Sequence, residues 1–405
     1  MPDLRQYAVV TSCYWVFTLT DGALRTLVLF YLYALGYSPL EVASLFLFYE
    51  AFGVVTNLAG GWIAARFGLR STLFAGLALQ IVACATLGLL AAQLTIPLVM
   101  ALQAMSGVAK DLTKMSSKSF IKHVVPAGNE SRLMKAVAVL TGSKNALKGI
   151  GFFLGGALLS TIGFVAANYA MASLLVVMLL AAVWLLSAPA KASGAKVSWR
   201  QILSRDARIN WLAAARLFLF GSRDVWFVLA LPIFLTATLG WTTAEAGGFL
   251  AVWVIGYGIV QALAPAYVGR GGGSQLLAWT VALAVPLLGL VGLFAAGYAN
   301  SWTLALGLAC FGFVFATNST LHSYLIVSYA EHDRVAMRVG FYYMANAAGR
   351  LIGTVLSGFV FQVAGMGSDG LTACLWVSAA MVGASALLCL PLRAAEARYN
   401  QQAAR

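Results

Sequence analysis

Residues 171–186 read MASLLVVMLLAAVWLL. Wound as a helix, this stretch is apolar on every side, with no face left for water. It cannot be a strand of a membrane barrel, which needs apolar and polar residues to alternate. Extended to 166–188 it reaches the roughly 20 residues a helix needs to cross the hydrocarbon core. Similar stretches recur along the chain, at approximately 7–35, 39–65, 71–92, 95–119, 132–161, 208–238, 243–268, 274–297, 302–328, 335–363 and 371–392. With 405 residues, twelve spans leave about 34 residues each, loop included, and no room for a large soluble domain. Of the chain, 61% is hydrophobic and 10% is charged, against about 25% charged in soluble domains. A soluble enzyme and a disordered chain are both excluded. The expected fold class is an all-α membrane protein of twelve transmembrane helices.

The longest polar interruption, 189–207, reads PAKASGAKVSWRQILSRDA and divides the chain into six-helix halves, 1–188 and 208–405. An internal repeat supports this division. GYSPLE at 36–41 returns as GWTTAE at 240–245, and GWIAARFG at 61–68 returns weakly as PAYVGRGG at 265–272, both at an offset of 204. Asp21 aligns with Asp224 at 203, and Gly151, Gly156 and Gly163 align with Gly353, Gly358 and Gly365 at 202. Two pseudo-symmetric bundles of this kind place a substrate site between them, near the bilayer midplane.

Lysine and arginine in the loops set the orientation. Arg66, Arg70, Lys122, Arg132, Lys191, Lys196, Arg200, Arg205, Arg270 and Arg334 fall in one set of loops, and the alternate set has neither residue. The basic set is therefore expected in the cytoplasm, with both termini. The first span carries Asp21 and Arg25, and reads as a retained helix rather than a cleaved signal.

The formal charge of +13 divides between these loops and the span interiors, with no basic arm or tail, so no nucleic-acid partner is expected. Cys13, Cys84, Cys310, Cys374 and Cys389 form no CxxC and read as packing residues. There is no GxxxxGK[ST] motif, no metal-ligand spacing and no triad-like grouping. Neither an enzyme nor a cofactor is expected.

Ionisable groups inside spans carry the functional signal, because a charge at the centre of a bilayer helix costs at least ~2.5 kcal/mol. Eight are basic (Arg25, Lys110, Lys114, Lys144, Lys148, Arg216, Arg223, Arg350) and four acidic (Asp21, Glu50, Asp111, Asp224), leaving four positive charges without an obvious partner. A polyanion is the simplest mobile one. Lys110, Lys114 and Lys118 recur every four residues on one helix face, as do Lys144 and Lys148, while Arg216 and Arg223 are seven apart. These rows make an electrostatic path toward the midplane. By the repeat, Lys148 matches Arg350, while Lys114 and Lys118 match Asn318 and His322. The eight basic residues, with Asn145, Asn318 and His322, are the candidate substrate-binding residues.

Other roles compete. Asp21 and Arg25 can simply neutralise each other, and Asp111 is expected to pair with a nearby lysine. Arg223 and Asp224 are neighbours that point to different faces, so their pairing is not expected. Lys118, Lys122, Lys135 and Arg338 are read as snorkelling to lipid phosphate. Glu50 is either a proton carrier or a partner for a cation. His322 reads as a hydrogen-bonding core residue before a ligand, and the run GIGFFLGG at 149–156 as close helix packing.

The turn with Gly60, Gly61, Arg66, Gly68 and Arg70 resembles the loop signature of the major facilitator superfamily, although Ala65 stands where that family usually has an acid. Gly61, Arg66, Gly68 and Arg70 are thus candidates for a gating loop, with the arginines meeting lipid phosphate or helix ends, or only fixing topology. More specifically, YWVFTLTDGALR (14–25), SGVAKDLTKMSSKSFIK (106–122) and LTGSKNALKGIGFFLGGALLSTIGF (140–164) resemble the organoarsenical efflux permeases of bacterial arsenic resistance. The resemblance runs nearly the full length. It implies a monomer in the bacterial inner membrane that exports 1-arseno-3-phosphoglycerate, the ester a glyceraldehyde-3-phosphate dehydrogenase makes when arsenate replaces phosphate. Excess lysine and arginine suit its two oxyanion heads, whereas trivalent arsenic would favour clustered thiolates. The residues alone reach a transporter of an organic phosphate or polyanion, such as a phosphoglycerate or sugar phosphate. A membrane enzyme acting on lipid head groups would need convergent acid, base and nucleophile, and a scaffold gives no reason for cations inside spans.

Overall fold

A computed structural model describes residues 4–35, 39–125, 129–186, 204–268, 272–331 and 334–403. The described chain is helical, without a strand: α1 (Leu4–Ala34), α2 (Pro39–Phe67), α3 (Leu69–Leu89), α4 (Ile96–Val124), α5 (Glu130–Leu185), α6 (Ala207–Phe227), α7 (Ala230–Ile233), α8 (Thr243–Leu263), α9 (Gly273–Ala282), α10 (Ala284–Ala295), α11 (Ser301–Tyr329), α12 (Val335–Val363) and α13 (Gly367–Ala403). Eight helical stretches of the described residues are long and apolar enough to cross a membrane. The charged row Lys110, Asp111, Lys114 and Lys118 keeps α4 from being one of them.

Turn chemistry sets the helix ends. Thr95, Asn129, Asp206 and Asn300 each accept a backbone N–H from the helix they precede, and Thr242 with Glu245 forms a reciprocal capping box. The expected spans 132–161 and 166–188 form one element, α5, broken at Gly163 (φ 77°, ψ 174°). Its repeat partner Gly365 also has positive φ, 90°, just past the end of α12, a conformation a side chain would oppose. The expected span 208–238 is interrupted between α6 and α7 because Pro232 has no N–H and its ring crowds the carbonyl four residues earlier. A π-helical turn, Phe234–Thr238, follows. Pro286 separates α9 from α10 in the same way.

Packing follows the small residues. A Cβ on Gly22 of α1 would stand 3.3 Å from the Gly151 Cα of α5, and one on Gly221 of α6 would stand 3.1 Å from the Gly349 carbonyl oxygen of α12. The GIGFFLGG run thus serves close packing, as expected. One apolar core joins α1, α3, α4 and α5 around Phe17, Leu24 and Leu77. Another joins α6, α8, α10, α11 and α13 around Trp226, which stacks edge-on against Phe311 at 5.1 Å. A third, with Met115, Leu140, Leu321 and Tyr342, connects N-terminal to C-terminal helices. Trp184 and Trp302 are 92% and 79% exposed, an arrangement suited to a lipid surface rather than to water.

Two further helix pairs join residues from before and after the polar interruption. α2 meets α12 where a Cβ on Gly61 would lie 2.9 Å from the Gly340 Cα, and α5 meets α8 where a Cβ on Gly258 would lie 2.5 Å from the Gly142 carbonyl oxygen. These contacts are main chain against main chain. Both lie toward the end of the molecule where α1 begins and α13 finishes, here called the terminal end. Tyr7 reaches the Ala136 carbonyl there, and Arg208 stacks on Tyr399.

Candidate functional site

The basic residues of the span interiors come from α1, α4, α5, α6 and α12. Lys114 donates to Asp111 Oδ1 at 2.7 Å and to the Asn57 side chain of α2. Asp111 also accepts from Thr56 at 2.6 Å and from Asn57 at 3.1 Å, which leaves it a fully engaged counter-ion. Its expected lysine partner is thus Lys114. Arg25 meets Asp21 at 3.7 Å, an ion pair too long for a hydrogen bond.

Asp224 is 1% exposed and holds two arginines: Arg223 at 2.5 Å and Arg350 at 3.0 Å. The first contact corrects the expectation that Arg223 and Asp224 point apart. Their Cβ atoms diverge, but the long guanidinium stem folds back to the neighbouring carboxylate, which is buried and has no water to compete.

Lys144 and Lys148 are half-buried and make no ion pair among the described residues. The principal charged neighbours of Lys144 are Lys118, Lys114, Arg350 and Lys110, all cations. Those of Lys148 are Arg25, Asp21, Arg350 and Lys144. The structure therefore gathers the predicted cations into one electrostatic neighbourhood. The eight predicted ones (Arg25, Lys110, Lys114, Lys144, Lys148, Arg216, Arg223, Arg350) and Lys118, which was not expected among them, make nine cations facing three described carboxylates, Asp21, Asp111 and Asp224. The side chain of Glu50 lies outside the described residues, as do Lys191, Lys196, Arg200 and Arg270.

Lys118, Lys122 and Arg338 do not snorkel. Lys118 is 4% exposed and donates to the Tyr343 hydroxyl of α12 and to Thr141 at 3.1 Å. Arg338 is 6% exposed. Lys122 turns inward to the Val327 and Ser328 carbonyls at 2.7 and 2.9 Å and to that of Ala330. These are the last, otherwise unpaired carbonyls of α11, and they draw a cation more strongly than distant lipid does. Lys135 is exposed, in keeping with its expected role.

Other candidates take structural posts. Asn145 donates to Gln261 of α8 beside the Gly142–Gly258 contact, and Asn318 donates to Thr280 of α9 at 2.9 Å. His322 is fully buried, yet neither ring nitrogen has a hydrogen-bond partner among the described residues, against the expected core role. Of the loop candidates, Gly61 and Arg66 lie within the end of α2, where Gly61 makes the α12 contact, Gly68 alone joins α2 to α3 with φ 88°, and Arg70 opens α3. Arg66 lies over Trp62 at 5.2 Å, and Arg70 donates to the Val183 carbonyl near the end of α5 at 3.1 Å. Arg70 thus meets a helix end. Asn57, Tyr342, Tyr343 and Asn346 were not singled out in the sequence. They carry no charge, and only their neighbours' charges mark them.

At the terminal end Glu130 of α5 accepts from Tyr324 at 2.9 Å and from Ser328 at 3.2 Å, next to Lys122. A cavity with Lys122, Glu130, Arg208 and Glu396 in its lining opens there, apart from the central cations. Lys122→Gln would remove charge-assisted bonds worth roughly 1.5–3 kcal/mol. It is expected to shift the population by about ten-fold or more toward separation of α4 and α11 at this end. Spin-label distances between the end of α4 and the end of α11 measure this, and an unaltered distribution would show that Lys122 does not hold the contact.

The family model described as Major Facilitator Superfamily matches residues 10–290 and again 212–405. No curated protein matches the sequence at a significant level. Among solved structures, the proton:xylose symporter XylE bound to 6-bromo-6-deoxy-D-glucose aligns with a TM-score of 0.74 at 15% identity, covering 95% of this chain and 94% of its own. A bacterial homologue of the iron transporter ferroportin, in an outward-facing state, aligns with 0.75 at 16%, covering 96% and 99%. The human organic anion transporter MFSD10 (TETRAN) aligns with 0.72 at 16%, covering 96% and 100%. At these identities the likeness is one of fold.

Proposed function

Because the chain belongs to the Major Facilitator Superfamily, a family of multi-pass membrane transporters, we propose that it exports a small organic polyanion, 1-arseno-3-phosphoglycerate, and so confers arsenate resistance. In this reading twelve spans form two six-helix halves, 1–188 and 208–405, joined by 189–207. Both termini are cytoplasmic, and the protein acts as a monomer in a bacterial inner membrane. A glyceraldehyde-3-phosphate dehydrogenase supplies the cargo.

The observation that carries the reading is the charge imbalance: nine cations around three carboxylates, with Lys144 set among cations. Buried charge of one sign persists where a partner of the other sign arrives. Ammonium groups act as mobile point charges, and guanidinium forks grip oxyanions in two bonds. The strings at 14–25, 106–122 and 140–164, which resemble the organoarsenical permeases, contribute Asp21, Arg25, Lys114, Lys144 and Lys148 to this region. The close contacts at the terminal end favour a form shut toward the cytoplasm, ready to release outward.

With the inside negative, each charge moved out gains ~2.3 kcal/mol per 100 mV, so a polyanion leaves without a coupled proton. If a proton is coupled, Asp21, Glu50 and Asp224 are the candidate carriers, and Asp21 is better placed than Asp224, which is saturated by donors.

Uptake by everted vesicles tests the proposal. Labelled 1-arseno-3-phosphoglycerate is expected to accumulate, with excess unlabelled 3-phosphoglycerate and a sugar phosphate as competitors, and with and without a proton gradient. Strong uptake of a sugar phosphate with none of the arsenical would assign an ordinary metabolite instead.

A further inference from the structure

Two buried cations lie apart from the carboxylates. Arg216, 3% exposed, donates to Asn346 Oδ1 at 2.9 Å, to Ser319 Oγ at 3.1 Å and to the Ser319 carbonyl at 3.4 Å. Lys118 has the hydroxyls of Tyr343 and Thr141. All these acceptors are neutral, and neither cation makes an ion pair among the described residues. Arg216 is also the leading charged neighbour of Lys118. The two are joined through an aromatic wall: Lys118 lies 4.7 Å from the Tyr343 ring, Tyr343 meets Tyr342 at 5.1 Å, and the Arg216 guanidinium lies 5.3 Å from the Tyr342 ring. His322 is 6.4 Å from Tyr342, with both nitrogens unbonded among the described residues.

This layer is nearer the terminal end than Lys114 and Arg223. On α4, Lys118 is four residues beyond Lys114, about 6 Å along the axis, and on α6 Arg216 is seven residues before Arg223, about 10.5 Å. We infer that Lys118, Arg216 and His322 form a second oxyanion subsite, built by α4, α6 and α11, so that the protein selects short organic anions bearing two oxyanion groups. One head sits among Lys144, Lys148 and Arg350, and the other reaches the Lys118–Arg216 layer once Tyr343 releases Lys118. Neutral acceptors leave the charge of that layer uncompensated, and an oxyanion compensates it while giving a buried imidazole a partner. The inference rests on the anion-transport reading and adds the recognition of a second head.

Equilibrium binding to the purified full-length protein in lipid nanodiscs tests it, with 3-phosphoglycerate as the two-headed probe and glycerol 3-phosphate as the one-headed probe. The wild type is expected to favour the two-headed anion by about ten-fold, the worth of one charge-assisted bond. Lys118→Gln and Arg216→Gln are each expected to bring that ratio close to one, and Lys118→Arg to restore it. A ratio near one in the wild type overturns the inference even if the glutamine variants do not fold, and so does a preference that survives in both of them. Binding of both anions with no preference, or of neither, overturns the inference, while the transport reading stands or falls with uptake of the arsenical by everted vesicles.

Discussion

Lys144→Gln and Lys148→Gln are each expected to abolish arsenate resistance while the protein still reaches the membrane. Both lysines are half-buried on one face of α5 and make no ion pair among the described residues. Glutamine keeps the length and a donor but removes the charge. Bonds to charged groups are worth roughly 1.5–3 kcal/mol each, so affinity for a polyanion should fall about 10- to 100-fold. Folding should not suffer, because neither change breaks an ion pair among the described residues and the one at Lys144 relieves repulsion from surrounding cations. Growth of an arsenate-challenged bacterial host, read beside the amount of protein in its membranes, measures the effect. Full resistance in both variants would remove α5 from the site.

The second large effect is on stability. Asp224→Asn is expected to destabilise the protein far more than Asp21→Asn. Asp224 is the buried partner of both Arg223 and Arg350, which lie on α6 and α12. Removing its charge leaves two guanidiniums side by side with only an amide between them, and breaking a buried pair typically costs about 3–5 kcal/mol. Asp21 meets Arg25 at 3.7 Å, on its own helix, so less is lost there. Thermal unfolding in detergent ranks the two variants. Equal melting temperatures would mean that Asp224 does not tie α6 to α12.

Charge and glycine were the legible parts of this sequence. A cation inside an apolar span is conspicuous wherever its side chain points, so Lys114, Lys144, Lys148, Arg223 and Arg350 could be named from position. Gly163 and Gly365 matched across the repeat, and both have positive φ. What could not be read was side-chain reach. Lys118 and Lys122 stand near helix ends, where a lipid phosphate and a protein carbonyl are equally plausible partners from sequence. Only the placement of Tyr343 and of the end of α11 decides between them. The Arg223–Asp224 contact is hidden for the same reason: helical spacing fixes where a Cβ points, and a guanidinium on a three-carbon stem is not bound by it. Neutral partners such as Asn57 and Asn346 carry no sequence signal until a charge is found beside them.

The backbone-on-backbone contacts of Gly61 with Gly340 and Gly142 with Gly258 have a thermodynamic consequence. Dispersion between such surfaces is short-ranged, a gap of about 0.5–1 Å forfeiting roughly a quarter to a half of it, and no hydrogen bond need break at those four positions. The polar clasps nearby, Lys122 on the end of α11 and Asn145 on Gln261, add roughly 0.5–3 kcal/mol each to the balance between open and shut. In such an equilibrium every 1.4 kcal/mol is a factor of ten, and a cargo with modest differential affinity is enough to tip it.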